Sequence, residues 1–187
     1  LNHHKFKTSY KVNVGSKSGI SLPANVTHSV DAYVLRTLLR KCSYHAPTLN
    51  KCKKLLTETM ELPVAVCESP LLGLYYSTGL VDPIWFEVMN KETALTIPKE
   101  LKVKLLAMIE DITQFKPFDV LTVHDAFRIH ANNGDALRYH YRNILADLAD
   151  STLLDHILTM ITGKKFKYKK LSNNLGDLIR QSYYGVC

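Results

Sequence analysis

Asp119-Val120-Leu121-Thr122-Val123-His124-Asp125-Ala126-Phe127-Arg128-Ile129-His130 is the stretch from which the fold of this 187-residue chain is read. Its first half is short, apolar and β-branched, the pattern of a buried strand. Its second half can return as another strand, which leaves His124-Asp125 near the bend. A carboxylate at a strand end, backed by an apolar sheet, can project into a cleft and hold a divalent cation through oxygen. Asp is equally at home as a plain turn residue in a hairpin. The dipeptide alone favours the plainer role, so its flanks and the rest of the chain decide.

Downstream, Asn132-Asn133-Gly134-Asp135 reads as a turn and cap, followed by a helix through about Asp150 whose Leu137, Tyr141, Ile144, Leu145 and Leu148 can face the sheet. Arg138 and Arg142, four apart, share another face that either reaches phosphate or is simply solvated. Ser151 can cap a further helix, Thr152 to Ile161, closed by Gly163. Lys164 to Lys170 then holds five lysines and two aromatics in seven residues. This segment is expected to be an exposed strand or loop that attracts a phosphate backbone, with a merely solvated loop as the plainer reading.

Upstream, residues Lys5 to Val14 alternate cleanly. Phe6, Thr8, Tyr10, Val12 and Val14 face one way, and Lys5, Lys7, Ser9, Lys11 and Asn13 the other, as in a half-buried strand. Gly15 to Gly19 is a loop. A helix follows Pro23 and runs to about Cys42, with Asn25, Thr27 or Ser29 as its cap and Val30, Tyr33, Val34, Thr37 and Leu38 as its apolar stripe. His28 and Asp31, three apart, share one face near the helix start, where backbone N–H groups and the macrodipole attract anions. Pro47 ends this region, and a helix from about Thr48 to Glu61 comes next. Pro63, Pro70, Gly73, Gly79 and Pro83 punctuate a less regular stretch whose Tyr75, Tyr76, Trp85 and Phe86 are expected to form a local core. Pro98 opens an amphipathic helix on Leu101, Leu105, Met108, Ile109 and Ile112, ending near Thr113.

A formal charge of +7 makes an anionic partner plausible, nucleic acid being the usual one. No apolar run approaches a membrane span and the amino end has no signal-peptide core, so a soluble protein is expected. Cys42, Cys52, Cys67 and Cys187 are too few and too irregular for a disulfide framework and suggest a reducing compartment. Cys42, His45, Cys52 and Cys67 could gather around zinc, but without a C-x-x-C pair ordinary thiols are the better expectation. The chain begins with Leu1 rather than Met, which suggests a processed product or a cleaved fragment.

Val-His-Asp-Ala-Phe on a strand resembles the third motif, motif C, of the single-subunit RNA polymerases of phages and mitochondria. Two further stretches agree, in that family's order. Ser18-Gly19-Ile20-Ser21-Leu22-Pro23-Ala24-Asn25-Val26-Thr27-His28-Ser29-Val30-Asp31-Ala32 looks like "SGIxPNxxHSxDA", and Asn174-Leu175-Gly176-Asp177-Leu178-Ile179-Arg180-Gln181-Ser182-Tyr183-Tyr184 is similar to the C-terminal "LNLxDILxSxxxF". Three ordered matches are much harder to obtain by accident than one. The resemblance implies an α+β polymerase palm, with an antiparallel sheet carrying motif C and helices packed on it. It implies that Asp125, preceded by His124, binds catalytic Mg²⁺, and that His28 and Asp31 lie by the incoming nucleotide, His28 sensing the ribose 2′-hydroxyl. It also implies nucleic-acid contacts at Lys164, Lys165, Lys167, Arg138 and Arg142, and a C-terminal end whose Tyr183, Tyr184 and Cys187 carboxylate pack near Asp125.

Residues 47–117 depart from the family, whose members pass from the His-Ser helix to motif C in far fewer residues. An inserted helical subdomain is therefore expected there, between a palm strand with the His-Ser helix (1–46) and the motif C hairpin with the palm helices and C-terminal segment (118–187). The family's motifs A and B, which hold the second metal-binding carboxylate and the nucleotide-gripping side chains, are not in these residues. No Asp or Glu precedes Ser18. The expectation is the catalytic-palm part of a DNA-directed RNA polymerase that is active only when completed by a second subunit or an N-terminal fragment. Such an enzyme would act on template DNA, RNA and nucleoside triphosphates in the cytoplasm of an infected bacterial host. Two other classes compete. One is an HD-type metal phosphohydrolase using His124-Asp125 with His130, His140 and His156, although that family sets its dipeptide on helices. The other is a non-catalytic nucleic-acid-binding or assembly subunit.

Overall fold

The computed structural model describes residues 21–67, 69–123 and 126–183. The expected strand from Lys5 to Val14, the Gly15 to Gly19 loop, His124, Asp125, Tyr184 and Cys187 lie outside them. The chain is α+β and mostly helical, with one two-stranded antiparallel sheet among the described residues.

Helix α1 spans Ser21–Cys42. It starts ahead of Pro23, because a proline in the first turn forfeits an N–H that has no helical partner anyway. The expected caps therefore sit inside the helix, where the Thr27 and Ser29 hydroxyls donate back to the Pro23 and Asn25 carbonyls. Its buried stripe is Val34, Thr37, Leu38, Lys41 and Cys42, with Val30 and Tyr33 half-buried. Lys41 is thus a core position that the stripe's own spacing reaches.

Five helices follow: α2 (Ala46–Glu58), α3 (Pro70–Thr78), α4 (Trp85–Val88), α5 (Lys91–Thr96) and α6 (Lys99–Ile112). Pro47 lies in the first turn of α2 and does not end the preceding region. The Pro70 to Thr78 segment, expected to be less regular, is a helix closed by Gly79 at φ 76°, a left-handed position that suits glycine. These helices share one apolar cluster around Leu56, Trp85, Ile97, Leu101 and Leu105. Each such side chain contributes about 1.5–3 kcal/mol by leaving water. Trp85, Phe86 and Tyr75 are buried as expected, whereas Tyr76 is 69% exposed. Lys102, on the apolar face of α6, reaches its Nζ 2.6 Å to the Thr59 carbonyl just past α2. Its buried stem explains a pKa pushed below the usual lysine range.

Strands β1 (Leu121–Val123) and β2 (Ala126–Arg128) pair antiparallel, with Leu121 opposite Arg128, Thr122 opposite Phe127 and Val123 opposite Ala126. The expected buried strand is corrected here: Leu121 is 62% and Val123 41% exposed. A two-stranded ribbon has one face to rest on helices, and Thr122 and Phe127 take it. The 3₁₀ turn Ala131–Asn133 leads into α7 (Gly134–Asp150). Leu137 and Ile144 of α7 join Val34, Leu38 and Cys42 in a second apolar cluster, against which Val120, Phe127 and Ile129 pack. Helix α8 (Leu153–Thr162) ends at Gly163, whose φ is 65°, and α9 (Leu175–Gln181) lies along α7. Lys164 to Lys170 forms a loop and no strand. Tyr183 is 91% exposed, so the expected inward packing of that ring does not occur. No described helix is long and apolar enough to cross a membrane.

Candidate active site

The chain leading into the ribbon is fastened to the end of α1 before the ribbon begins. The Phe118 N–H donates to the Cys42 carbonyl at 2.9 Å, the Ser43 hydroxyl donates to the Phe118 carbonyl at 2.9 Å, and the Tyr44 hydroxyl donates to the Phe115 carbonyl at 2.7 Å. The Phe127 ring then meets Tyr141 of α7 with centroids 5.8 Å apart and planes tilted 60°. A helix end, an aromatic pair and the apolar cluster therefore hold the ribbon from one side. Because Val123 pairs with Ala126, the link between the two strands is the dipeptide His124-Asp125.

His28 and Asp31 are exposed on α1. They lie seven and ten residues beyond Ser21, so they sit about two to three turns in. The macrodipole's pull fades within the first turn, which removes the anion-attracting role argued for them from helix start alone. What remains is a histidine and a carboxylate facing solvent one turn apart.

The cationic residues divide. Arg138 is exposed and lies 3.6 Å from Asp135 on its own helix. Arg142 is half-buried, and its Nη1 donates 2.7 Å to the Ser182 carbonyl, so it ties the end of the chain to α7. Lys164, Lys165 and Lys167 are exposed on the loop after α8. That loop is held at the carboxyl end of α7 through Lys170, about 12 Å along the helix from Tyr141. The structure does not bring the lysines to the ribbon.

Among the described residues no group of three or more His, Cys, Asp or Glu is placed to hold a metal, and this covers Cys42, His45, Cys52 and Cys67 as well as His130, His140 and His156. Cys42 and Cys52 are buried, and burial pushes the Cys42 thiol up to about 12. His140 is fully buried, with Phe115 and Tyr139 in edge contact at centroid distances of 5.4 and 5.5 Å. Neither of its ring nitrogens meets a hydrogen-bond partner among the described residues, and burial pulls its pKa down to about 4. It is a core histidine, unsuited to the ligand role weighed for it.

Two features escaped the sequence reading. The first is a polar cluster beneath α1 and α6: Lys41 Nζ lies 3.8 Å from Asp111, which also accepts from the Tyr139 hydroxyl at 2.5 Å. Lys41 was findable, being seven residues on from Val34. The second is a cleft of about 510 Å³ between the end of α7, the start of α8, the lysine-rich loop and the start of α9. No local pattern announces a cleft made of four separate segments. Comparison with protein-family models and with curated proteins gave no match to this chain.

Proposed function

We propose that this chain is the palm part, carrying motif C, of a DNA-directed RNA polymerase of the single-subunit phage and mitochondrial type. The observation that carries the reading is the register of the ribbon: Val123 opposite Ala126 leaves His124-Asp125 as the link between two antiparallel strands. The ribbon also rests on the helix bearing His28-Ser29, another motif of the ordered set of three.

Such an enzyme joins an RNA 3′-hydroxyl to the α-phosphate of an incoming nucleotide, and Mg²⁺ supplies charge neutralisation at both oxygens. This chain's donors do not make up a magnesium site by themselves. Asp125 is the acid that motif C offers, and among the described residues no group of three or more His, Cys, Asp or Glu is placed to hold a metal. The missing carboxylate is assigned to a second subunit or an N-terminal part carrying motifs A and B. The open face of the ribbon, with Leu121 and Val123 in solvent, is apolar surface for that part to cover. His28 and Asp31, solvent-facing on α1, are assigned to the nucleotide, and Arg138 with Lys164, Lys165 and Lys167 to the nucleic-acid backbone. The setting is the cytoplasm of an infected bacterium.

The test is to purify the chain with its native companion, identify that companion by mass spectrometry, and measure Mg²⁺-dependent RNA synthesis with and without Asp125→Asn. The expected result is a companion bearing a metal-binding carboxylate motif and synthesis abolished by the substitution. Synthesis indifferent to Asp125 would refute the assignment and leave a binding subunit.

A further inference from the structure

The loop after α8 is pinned at regular points. The Phe166 N–H donates to Thr159 Oγ1 at 3.0 Å, the Tyr168 N–H donates to Asp155 Oδ1 at 2.6 Å, and Lys170 Nζ donates to the carbonyls of Ala149 and Asp150 at 2.7 and 2.8 Å. Thr159 and Asp155 are four residues apart on α8, about 6 Å along its axis. Two loop residues span that distance only when nearly extended, at roughly 3.3 Å each. In an extended chain alternate residues share a side. Phe166, Tyr168 and Lys170 are the tethered set, which leaves Lys165, Lys167 and Lys169 as the free one. Those three are exposed, and among the described residues their ammonium groups have no partner. A row of unpaired cations on a pinned backbone suits the tracking of a phosphodiester chain.

Across the loop backbone from the row, on the side of Tyr168 and Lys170, lies the cleft of about 510 Å³, walled by Leu148, Leu154, Tyr168, Leu171 and Leu175. Leu171 is fully exposed and Tyr168 is 47% exposed, so apolar surface and an aromatic edge stand open to water. α8 itself buries none of its residues. A cleft of this size with apolar walls and an aromatic lip is suited to a flat heterocycle. Its wall also carries Asp155 and Lys170, whose opposite charges leave the cleft without the net positive charge that draws phosphate to the lysine row. The two halves therefore sort one ligand, with its phosphates along the lysines and a base in the cleft. A duplex keeps its bases stacked and cannot supply one. An acidic peptide would match the lysines but bring carboxylates against Asp155.

We propose that the loop and cleft form a binding site for single-stranded nucleic acid, with phosphates along Lys165, Lys167 and Lys169 and an unstacked base against Tyr168. The site extends the nucleic-acid contact of the polymerase reading but stands on its own geometry.

Fluorescence anisotropy of the purified chain with labelled oligo-dT and oligo-U of about a dozen nucleotides, over a series of salt concentrations, tests it. Replacing Lys165, Lys167 and Lys169 together by Gln should weaken binding at least about tenfold and lower the salt slope by about 2, at roughly 0.7 per phosphate contact on a single strand. Tyr168→Ala should weaken binding by about fivefold or more with the slope unchanged, and Tyr168→Phe, which keeps the ring, should bind as the parent does. Asp125→Asn should bind normally, so failure of RNA synthesis and failure of this site are read separately. The proposal is overturned if the triple variant keeps its salt slope, if a duplex of equal length binds as tightly, or if polyglutamate displaces the oligonucleotide as well as unlabelled oligonucleotide does. Matched circular dichroism and melting curves establish that each variant is folded.

Discussion

His140 shows how one residue can read as a functional ligand in the sequence and do something else in the fold. A histidine on the inner face of α7 is compatible with metal binding by residue type alone. Its surroundings decide otherwise, since two aromatic edges enclose it and both nitrogens are left without partners among the described residues. Burial is the main cause of its lowered pKa. Lys41 on α1 adds to the lowering, and Asp111 on α6 opposes it. The consequence for stability has a definite sign. The folded imidazole stays neutral until about pH 4, whereas the unfolded one takes up a proton near pH 6.5. Stability from this group is fully present above pH 6.5 and is lost as pH falls from there toward 4, reaching about 2 to 3 kcal/mol at pH 4.5. Urea midpoints at pH 7.5 and 4.5 should therefore converge in His140→Leu by about that amount relative to the parent protein. The same pH dependence in both would mean that His140 already carries its proton in the fold.

At the scale of elements, the helices that bury a stripe were legible, and those set by distant contacts were not. The Leu101, Leu105, Ile109 and Ile112 spacing gave α6 almost to the residue, with Pro98 at its cap, because one face of one helix meets one core. Residues Val120 to Val123 misled for the opposite reason: an apolar, β-branched run announces a strand but says nothing of how many neighbours the strand will have. With β2 as its one strand neighbour among the described residues, half of that run faces water. The candidate site was legible to the same extent. The apolar run before His124 located the ribbon, and Pro23 with the residues after it located the His28 helix, while the separation of the lysines from the ribbon depends on where α8 turns back. Helix α9 is a case where sequence order conceals close packing. Gly176 faces the carboxylate of Asp150 so closely that a Cβ there would collide with it. That carboxylate is not free to swing aside, because Arg180 holds it at 2.9 Å and Asp147 at 3.0 Å. Gly176→Ala should cost about 1–3 kcal/mol, and amide exchange should show the loss as faster opening of residues 175–181 than of the α6 core. Unchanged protection of α9 would mean that Asp150 yields without cost.

At the scale of the whole molecule, the described residues form two apolar clusters joined through polar groups. One is the helical lobe around Leu105 and Trp85, and the other lies between α1, α7 and the ribbon. At the seam, Asp111 of α6 accepts the Tyr139 hydroxyl of α7 and faces Lys41 of α1, while Thr152 donates its N–H to the Thr78 carbonyl and its hydroxyl to the Ser77 carbonyl. Polar contacts of this kind lose their value abruptly when one partner is removed, since the other is left desolvated. Lys41 is 4% exposed, so Asp111→Ala strands a charge that water does not reach, at a cost of roughly 2 kcal/mol. That cost falls on the coupling between the clusters more than on either core. The chain's single tryptophan, Trp85, reports on the lobe alone, whereas far-UV circular dichroism reports on all the helices. In the parent protein the two signals should move together through a urea transition, as a cooperative unit requires. In Asp111→Ala they should separate, with the Trp85 midpoint and the dichroism midpoint no longer coinciding. Coincident midpoints at a lower urea concentration would mean that the clusters are coupled through α1 itself, which runs from the second cluster to within a short turn of α2, and that the seam contributes stability without transmitting cooperativity.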